Sequence, residues 1–81
     1  MSDPWEIRRT ALRQAFKELR LKAKLTQIDV AHGLNKPQSY VSKYENGERK
    51  LDYVEVIELC DLFGVSISQL DKRYRNNLQN L

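Results

Sequence analysis

The chain has 81 residues, enough for one small hydrophobic core, and this length excludes a multidomain enzyme. Hydrophobic residues make up 41% of it and charged residues 31%, a composition typical of a single globular domain and too apolar for a disordered chain. No apolar run exceeds two residues. We therefore expect no membrane span, no signal peptide and a cytoplasmic location.

Charge is unevenly distributed around the formal net value of +3. Residues 1–25 carry seven bases and three acids, whereas residues 51–81 carry three bases and five acids. One surface is therefore suited to a negatively charged partner, and another is not. Cys60 is the single cysteine, which excludes an internal disulfide, and no Cys or His cluster accompanies it. We expect Cys60 in the core, and neither a metal nor a cofactor.

Five helices are predicted, with no strand-like segment, so the fold class is all-α. The first helix spans roughly residues 4–24, because Asp3 is suited to the N-cap and Pro4 to the first helical position. Its apolar residues recur at helical spacing, namely Ala11, Leu12, Ala15, Phe16, Leu19 and Ala23.

Two short helices follow, separated by a tight turn. Thr26 caps the second helix, and Asn35 ends it because asparagine tolerates the left-handed backbone conformation. The third helix covers residues 38–45 and ends before Asn46. Residues 27–46 therefore form the pattern of a helix-turn-helix.

The third predicted helix places its hydrogen-bonding side chains on one outward side. Gln38, Ser39, Ser42 and Lys43 cluster there at about 100° per residue, and none of them is acidic. Glutamine can pair with adenine, lysine can donate to guanine, and serine can contact either base. These four residues are the predicted base-reading set, and the alternative is an ordinary solvated helix face.

The fourth helix is predicted over residues 51–63 with an acidic outer face, and its inner face includes Val54. A capping box at Ser66 starts the fifth helix, which we expect to cover residues 66–81, with Asn77 among the polar side chains that keep it soluble. Its apolar stripe extends past what a monomer needs to cover, which predicts a homodimer interface, the alternative being a frayed tail. The interface residues expected on this stripe are Ile67, Leu70, Tyr74, Leu78 and Leu81, with Tyr53 nearby on the fourth helix.

Two opposite charges lie on the margins of core stripes. Arg20 follows Phe16 by four residues in the first helix, and Glu45 lies beside Val41 in the third. A charge on a core stripe needs a partner, so Arg20 and Glu45 are predicted to form a structural ion pair. Two separately solvated charges are the alternative.

Three segments carry a resemblance to a known family: LTQ at 25–27, PQSYVSKYENGER at 37–49 and LFGVSISQL at 62–70. With them, residues 12–70 closely resemble the Xre/Cro-like, phage-repressor-type helix-turn-helix DNA-binding domains. The resemblance implies a five-helix bundle that binds operator DNA as a dimer and regulates transcription. The sequence departs from the family pattern at Asn35, where glycine is usual, and at Pro37, where a Ser or Thr cap is common.

The resemblance also implies contacts with the DNA backbone. It places Gln27 at the DNA-facing end of the second helix, as its cap and a phosphate ligand, and Asn46 after the recognition helix. Arg49 and Lys50 lie close to Asn46 and are expected to contact phosphates, the alternative being free surface charge. Tyr40 completes the predicted phosphate contacts.

The predicted function is a sequence-specific regulator that binds double-stranded operator DNA, as a homodimeric repressor or autoregulator formed by a single domain of residues 1–81. An antitoxin or a restriction-modification controller is one alternative, and a helical interaction module without DNA binding is another. The chain contains no phosphate-binding glycine loop, nucleophile elbow or metal motif, so we expect neither a catalytic residue nor an enzyme. A membrane partner is not expected, and the sequence does not indicate an effector.

Overall fold

The structure, a computed structural model, describes residues 3–81. This part of the chain folds into five α-helices without a β-strand, which confirms the predicted all-α class. The helices are α1 (Pro4–Lys22), α2 (Gln27–Leu34), α3 (Gln38–Glu45), α4 (Tyr53–Phe63) and α5 (Ile67–Gln79). No helix within residues 3–81 is both long and apolar enough to cross a membrane.

Local capping side chains set four of the five helix starts. The Asp3 carboxylate accepts a hydrogen bond from the backbone N–H of Trp5, at 2.9 Å. Thr26, Asp52 and Ser66 each form a complete capping box with the residue three positions later. Each box satisfies backbone N–H groups that have no partner inside the helix, so these boundaries are encoded locally.

Two boundaries differ from the sequence prediction. Helix α1 ends at Lys22, earlier than expected, because the chain turns at Lys24, which has a φ of 60°. Helix α4 begins at Tyr53 instead of residue 51, because Asp52 is its N-cap.

Val54 was predicted on the inner face of α4, and this prediction is wrong. Its side chain is 63% exposed, whereas Leu59 and Cys60 are buried. The inner face is defined by Val56, Leu59, Cys60 and Phe63. Val54 precedes Val56 by two residues, about 200° around the helix, and therefore points away from the core.

All five helices contribute buried side chains to the core. Phe16 and Tyr44 are buried with their rings edge-to-face, 6.5 Å between centroids, and Leu59 is buried with them. Cys60 lies in the same cluster, as expected, and burial raises the pKa of its thiol. A thiol in this apolar setting acts as a small hydrophobic side chain.

Helix α5 packs along α1 over most of its length. Asn77 is buried, and its amide donates hydrogen bonds to the Ala11 carbonyl, at 3.3 Å, and to Glu18 Oε1, at 3.1 Å. Arg73 forms an ion pair with the same Glu18, at 3.4 Å. The prediction that Asn77 lies on a solvated face is therefore wrong, because α1 covers it.

The packing of α5 on α1 shows that part of the predicted dimer interface is wrong. Leu70 is only 4% exposed and belongs to the core of the monomer, so it is not free to contact a second copy. Tyr74 and Leu78 are half-buried within the same chain. Helix α5 ends at Gln79, so it falls short of Leu81. The C-terminal half of α5 is therefore a structural part of the domain.

Truncation after Lys72 should destabilise the monomer, because it removes the Asn77 hydrogen bonds and uncovers part of α1. The midpoint of thermal unfolding should fall by roughly 10 °C, since about 2 kcal/mol shifts the midpoint of a domain this small by that much. Truncation after Gln79 removes only residues beyond α5 and is the control. Thermal unfolding of both truncated proteins is monitored by circular dichroism. Equal midpoints for the two would contradict a structural role for the C-terminal half of α5.

Candidate nucleic-acid interface

A short turn sets the angle between α2 and α3. Asn35 adopts the left-handed conformation, with a φ of 56°, and the backbone N–H of Lys36 donates to the Ala31 carbonyl at 2.9 Å. Ala31 is 2% exposed. Asparagine thus provides the left-handed helix stop that glycine often provides. Pro37 is the N-cap of α3, makes no side-chain hydrogen bond and is exposed.

Helix α3 has one buried and one exposed face. Tyr40, Val41 and Tyr44 are buried against the core. On the other side lie the four predicted base-reading residues: Gln38, Ser39 and Lys43 are exposed, whereas Ser42 is half-buried. The structure therefore places these four side chains on one outward face, with only Ser42 partly withdrawn.

The predicted partners Arg20 and Glu45 are in contact between α1 and α3. Arg20 Nε donates to Glu45 Oε2 at 2.7 Å, and Nη2 donates to Oε1 at 3.1 Å. Arg20 Nη1 also donates to the Leu25 carbonyl, at 3.0 Å. The side chains are only 10% and 3% exposed. The hydrogen bond with Glu45 raises the pKa of the Arg20 guanidinium, as expected for a two-point contact with a carboxylate.

Gln27 extends this contact to the surface. Its amide nitrogen donates to Glu45 Oε1 at 3.0 Å, and its amide oxygen accepts a 3.5 Å hydrogen bond from Gln38. A continuous polar network thus runs from Arg20, through Glu45 and Gln27, to the first residue of α3. Thr26 is the N-cap of α2, so the expectation that Gln27 caps this helix is wrong. The network joins side chains of α1, α2 and α3, and no spacing in the sequence relates these three helices. Only the ion pair between Arg20 and Glu45 could be predicted from the sequence.

A second cluster lies where the loop after α3 meets α4. The Tyr40 hydroxyl donates to Glu55 Oε2 at 3.0 Å, and Arg49 forms an ion pair with the same carboxylate. The Arg49 guanidinium also lies 4.8 Å from the centre of the Tyr40 ring. These contacts fix the position of Arg49, with its side chain still 40% exposed.

The structure contradicts Tyr40 as a phosphate contact. The residue is only 8% exposed, and its hydroxyl is engaged by Glu55. Burial, helped by the hydrogen bond with Glu55, raises the pKa of Tyr40 to about 12. Tyr40 instead supports two cations, because Lys36 Nζ lies 5.6 Å from the centre of its ring and Arg49 lies 4.8 Å from it.

The Glu55 carboxylate remains charged despite its surroundings. Burial acts to raise its pKa, but the hydrogen bonds from the Asp52 backbone and Tyr40, together with the positive charge of Arg49, outweigh burial. The pKa of Glu55 therefore lies below its usual value. A charged Glu55 both caps α4 and keeps Arg49 in place.

The basic surface extends to both sides of α3. Lys36 lies in the turn before this helix, and Asn46, Arg49 and Lys50 are exposed after it. Asn46 donates a 3.5 Å hydrogen bond to Ser42. Sequence reasoning did not identify Lys36, because only the three-dimensional position of the Tyr40 ring brings it close to Arg49. A single lysine in a turn gives no such signal.

The described residues offer no metal site. Within 3–81, no three His, Cys, Asp or Glu side chains come together in a way that could hold a metal ion. His32 is exposed on α2. The site therefore consists of three neutral hydrogen-bonding side chains and one lysine on α3, with further Lys and Arg side chains on both sides of the helix. This arrangement is suited to a polyanion that carries hydrogen-bonding groups.

The fold and this surface define a helix-turn-helix protein. The family model for helix-turn-helix domains matches residues 16–70, which is more than half of the chain. The chain belongs to the Xre/lambda-repressor-type helix-turn-helix family, in agreement with the resemblance noted in the sequence. This is a family of DNA-binding transcription regulators and is not typically enzymatic. No curated protein matches the chain.

The substitution Glu45→Ala should lower the free energy of unfolding by about 3–5 kcal/mol, because it leaves the Arg20 charge buried without its partner. Much of this loss should disappear in the double variant Arg20→Met/Glu45→Ala, measured by urea denaturation. The control is Asp71→Ala, which breaks an exposed ion pair with Arg75 and should change little. If Glu45→Ala unfolds at the same urea concentration as the wild type, the ion pair does not support the fold.

Proposed function

We propose that the protein is a sequence-specific regulator that binds double-stranded operator DNA with α3 in the major groove. The observation that carries this proposal is the outward face of α3. Gln38, Ser39 and Lys43 are exposed there, and none of them is acidic. Their side chains can donate to or accept from base edges, whereas an acidic face would repel the duplex. The opposite face of α3 is fixed in the core, so the helix is presented rigidly.

Gln38 is the best-positioned base reader in this set. It is the first residue of α3, and its amide donates to Gln27, which is itself bonded to Glu45. An amide oriented by a neighbour loses less freedom on binding than a free one. Within residues 3–81, one N–H and the oxygen of the Gln38 amide remain free, the two groups that a two-point contact with adenine uses. Ser39 and Lys43 extend the contact along the groove, and Ser42 takes part through its partly exposed hydroxyl.

The residues around α3 supply contacts with phosphates. Arg49 and Lys50 follow the helix, with Asn46 between them and α3, and Gln27 retains a second amide hydrogen that can reach a phosphate. These contacts do not depend on sequence and make the affinity sensitive to salt. Base contacts from α3 and backbone contacts from its flanks then act together in one bound orientation.

The operator-bound form is proposed to be a homodimer. Tyr53 and Ile67 are 67% and 41% exposed, and Leu81 is 59% exposed beyond the end of α5. Together with the half-buried Tyr74 and Leu78, these are the residues that we propose to meet a second copy. A dimer bound to its operator blocks access to the duplex that it covers, so repression or autoregulation, in the cytoplasm, is the proposed outcome.

The substitution Gln38→Ala should weaken binding to the preferred duplex by about 1–3 kcal/mol and relax the preference at one base position. Lys50→Gln should instead weaken binding to all duplexes to a similar extent and reduce the salt slope by about one unit. Gln79→Ala, at the exposed end of α5, is the control and should bind as the wild type does.

Fluorescence anisotropy with the preferred duplex and with scrambled duplexes, at several salt concentrations, measures all three variants. If Gln38→Ala leaves both affinity and base preference unchanged, Gln38 does not read bases. If the wild type binds neither kind of duplex at low salt, DNA binding by this chain is itself contradicted.

A further inference from the structure

A cavity of about 60 Å³ lies between α1 and the loop that joins α3 to α4. Arg9 and Arg13 line it from α1, and Arg49 and Lys50 line it from the loop. Its volume is several times the roughly 10–15 Å³ that one water molecule needs, so it has room for a small tetrahedral oxyanion. None of the contacts assigned above to base reading involves this cavity.

Four cations and one carboxylate, that of Glu6, line the cavity, so positive charge is in excess there. Of the four cations, Arg13 is paired with Glu6 at 3.2 Å, and Arg49 is paired with Glu55. Arg9 and Lys50 form no ion pair with any residue of 3–81. Cations that share a small cavity repel one another, and a bound anion removes this repulsion.

Gly47 allows one of these cations to approach the loop closely. A Cβ atom built on Gly47 would lie 2.9 Å from Cζ of Arg13, and the φ of Gly47 is +82°. A side chain at this position would meet both a strained backbone and the guanidinium group. The bare backbone at Gly47 thus lets Arg13 reach across from α1 to the loop.

A buried hydroxyl provides the second, independent observation. Tyr44 lines the same cavity and is only 1% exposed. Its hydroxyl is buried and has no hydrogen-bond partner among the described residues. Phe16 and Tyr40 pack edge-on against its ring, at 6.5 and 5.7 Å between centroids. A phenylalanine ring would make the same packing contacts as the Tyr44 ring. The packing therefore does not account for the hydroxyl, which is costly to bury without a hydrogen-bond partner.

We propose that this cavity binds a phosphate-type oxyanion, with the Tyr44 hydroxyl donating a hydrogen bond to it and Arg9, Arg13 and Lys50 neutralising its charge. Burial raises the pKa of Tyr44, so the hydroxyl keeps its proton and remains a donor. The phosphate belongs either to the DNA backbone or to a free phosphate-bearing molecule. In the first case the inference rests on the proposed function, and in the second it is independent of it.

The first arm of the test uses the full chain without DNA. The midpoint of thermal unfolding is measured against inorganic phosphate, with sodium chloride at matched ionic strength as the reference. If phosphate binds the folded protein, the midpoint of the wild type should rise with the phosphate concentration. Tyr44→Phe and Arg9→Gln should lose this rise, whereas Arg8→Gln on the same helix should keep it, because Arg8 faces Trp5, with its guanidinium 5.4 Å from the ring centre.

The second arm measures duplex binding by the same variants. If the phosphate comes from DNA, Arg9→Gln should weaken binding roughly fivefold and reduce the salt slope by about one unit, while Arg8→Gln changes neither. If it comes from a free molecule, only the first arm should respond to Arg9→Gln. Arg9 is exposed, so its variant remains informative even if Tyr44→Phe perturbs packing.

If Arg9→Gln changes neither the phosphate-induced rise in the midpoint nor duplex binding, the proposal is overturned. The same holds if the phosphate-induced rise persists in both Tyr44→Phe and Arg9→Gln. If the wild type binds no duplex, the proposed function fails, but the first arm still decides whether the cavity binds phosphate.

Discussion

The position of α3 depends on the ion pair between Arg20 and Glu45. Both side chains are almost fully buried, and the guanidinium uses three of its donors on Glu45 and the Leu25 carbonyl. A contact with this geometry tolerates little displacement of α3 relative to α1, because the loss of one partner leaves a buried charge. The apolar contacts around Phe16 supply stability, but they are less directional than these hydrogen bonds.

The same carboxylate connects the core with the outward face of α3. Glu45 accepts from Gln27 as well as from Arg20, and Gln27 in turn accepts from Gln38. The hydrogen bonds that hold α3 in place thus also orient Gln38, the first side chain on its outward face. On the other side of α3, Glu55 plays a comparable part, since it caps α4 and holds Arg49 beside the Tyr40 ring. Two buried or half-buried acids therefore position the hydrogen-bonding and basic groups of one surface.

Much of the fold could be predicted from the sequence because it is encoded locally. Capping boxes and apolar spacing depend on residues within one or two turns, and they identified all five helices. Arg20 and Glu45 could be paired because each is a charge on a core stripe. The failures concern contacts between distant segments: Asn77 is covered by α1, and the Tyr40 hydroxyl is taken by Glu55. No local pattern shows which distant element will cover a polar side chain.

The central claim is that the outward face of α3 reads a particular DNA sequence, and selection of bound duplexes from a random pool tests it most directly. A two-fold dimer should place its recognition helices about one DNA turn apart. The enriched duplexes should therefore contain a near-palindromic site with half-site centres ~10 bp apart. Recovery of duplexes without any shared sequence, at a salt concentration where the protein still binds, would contradict the claim.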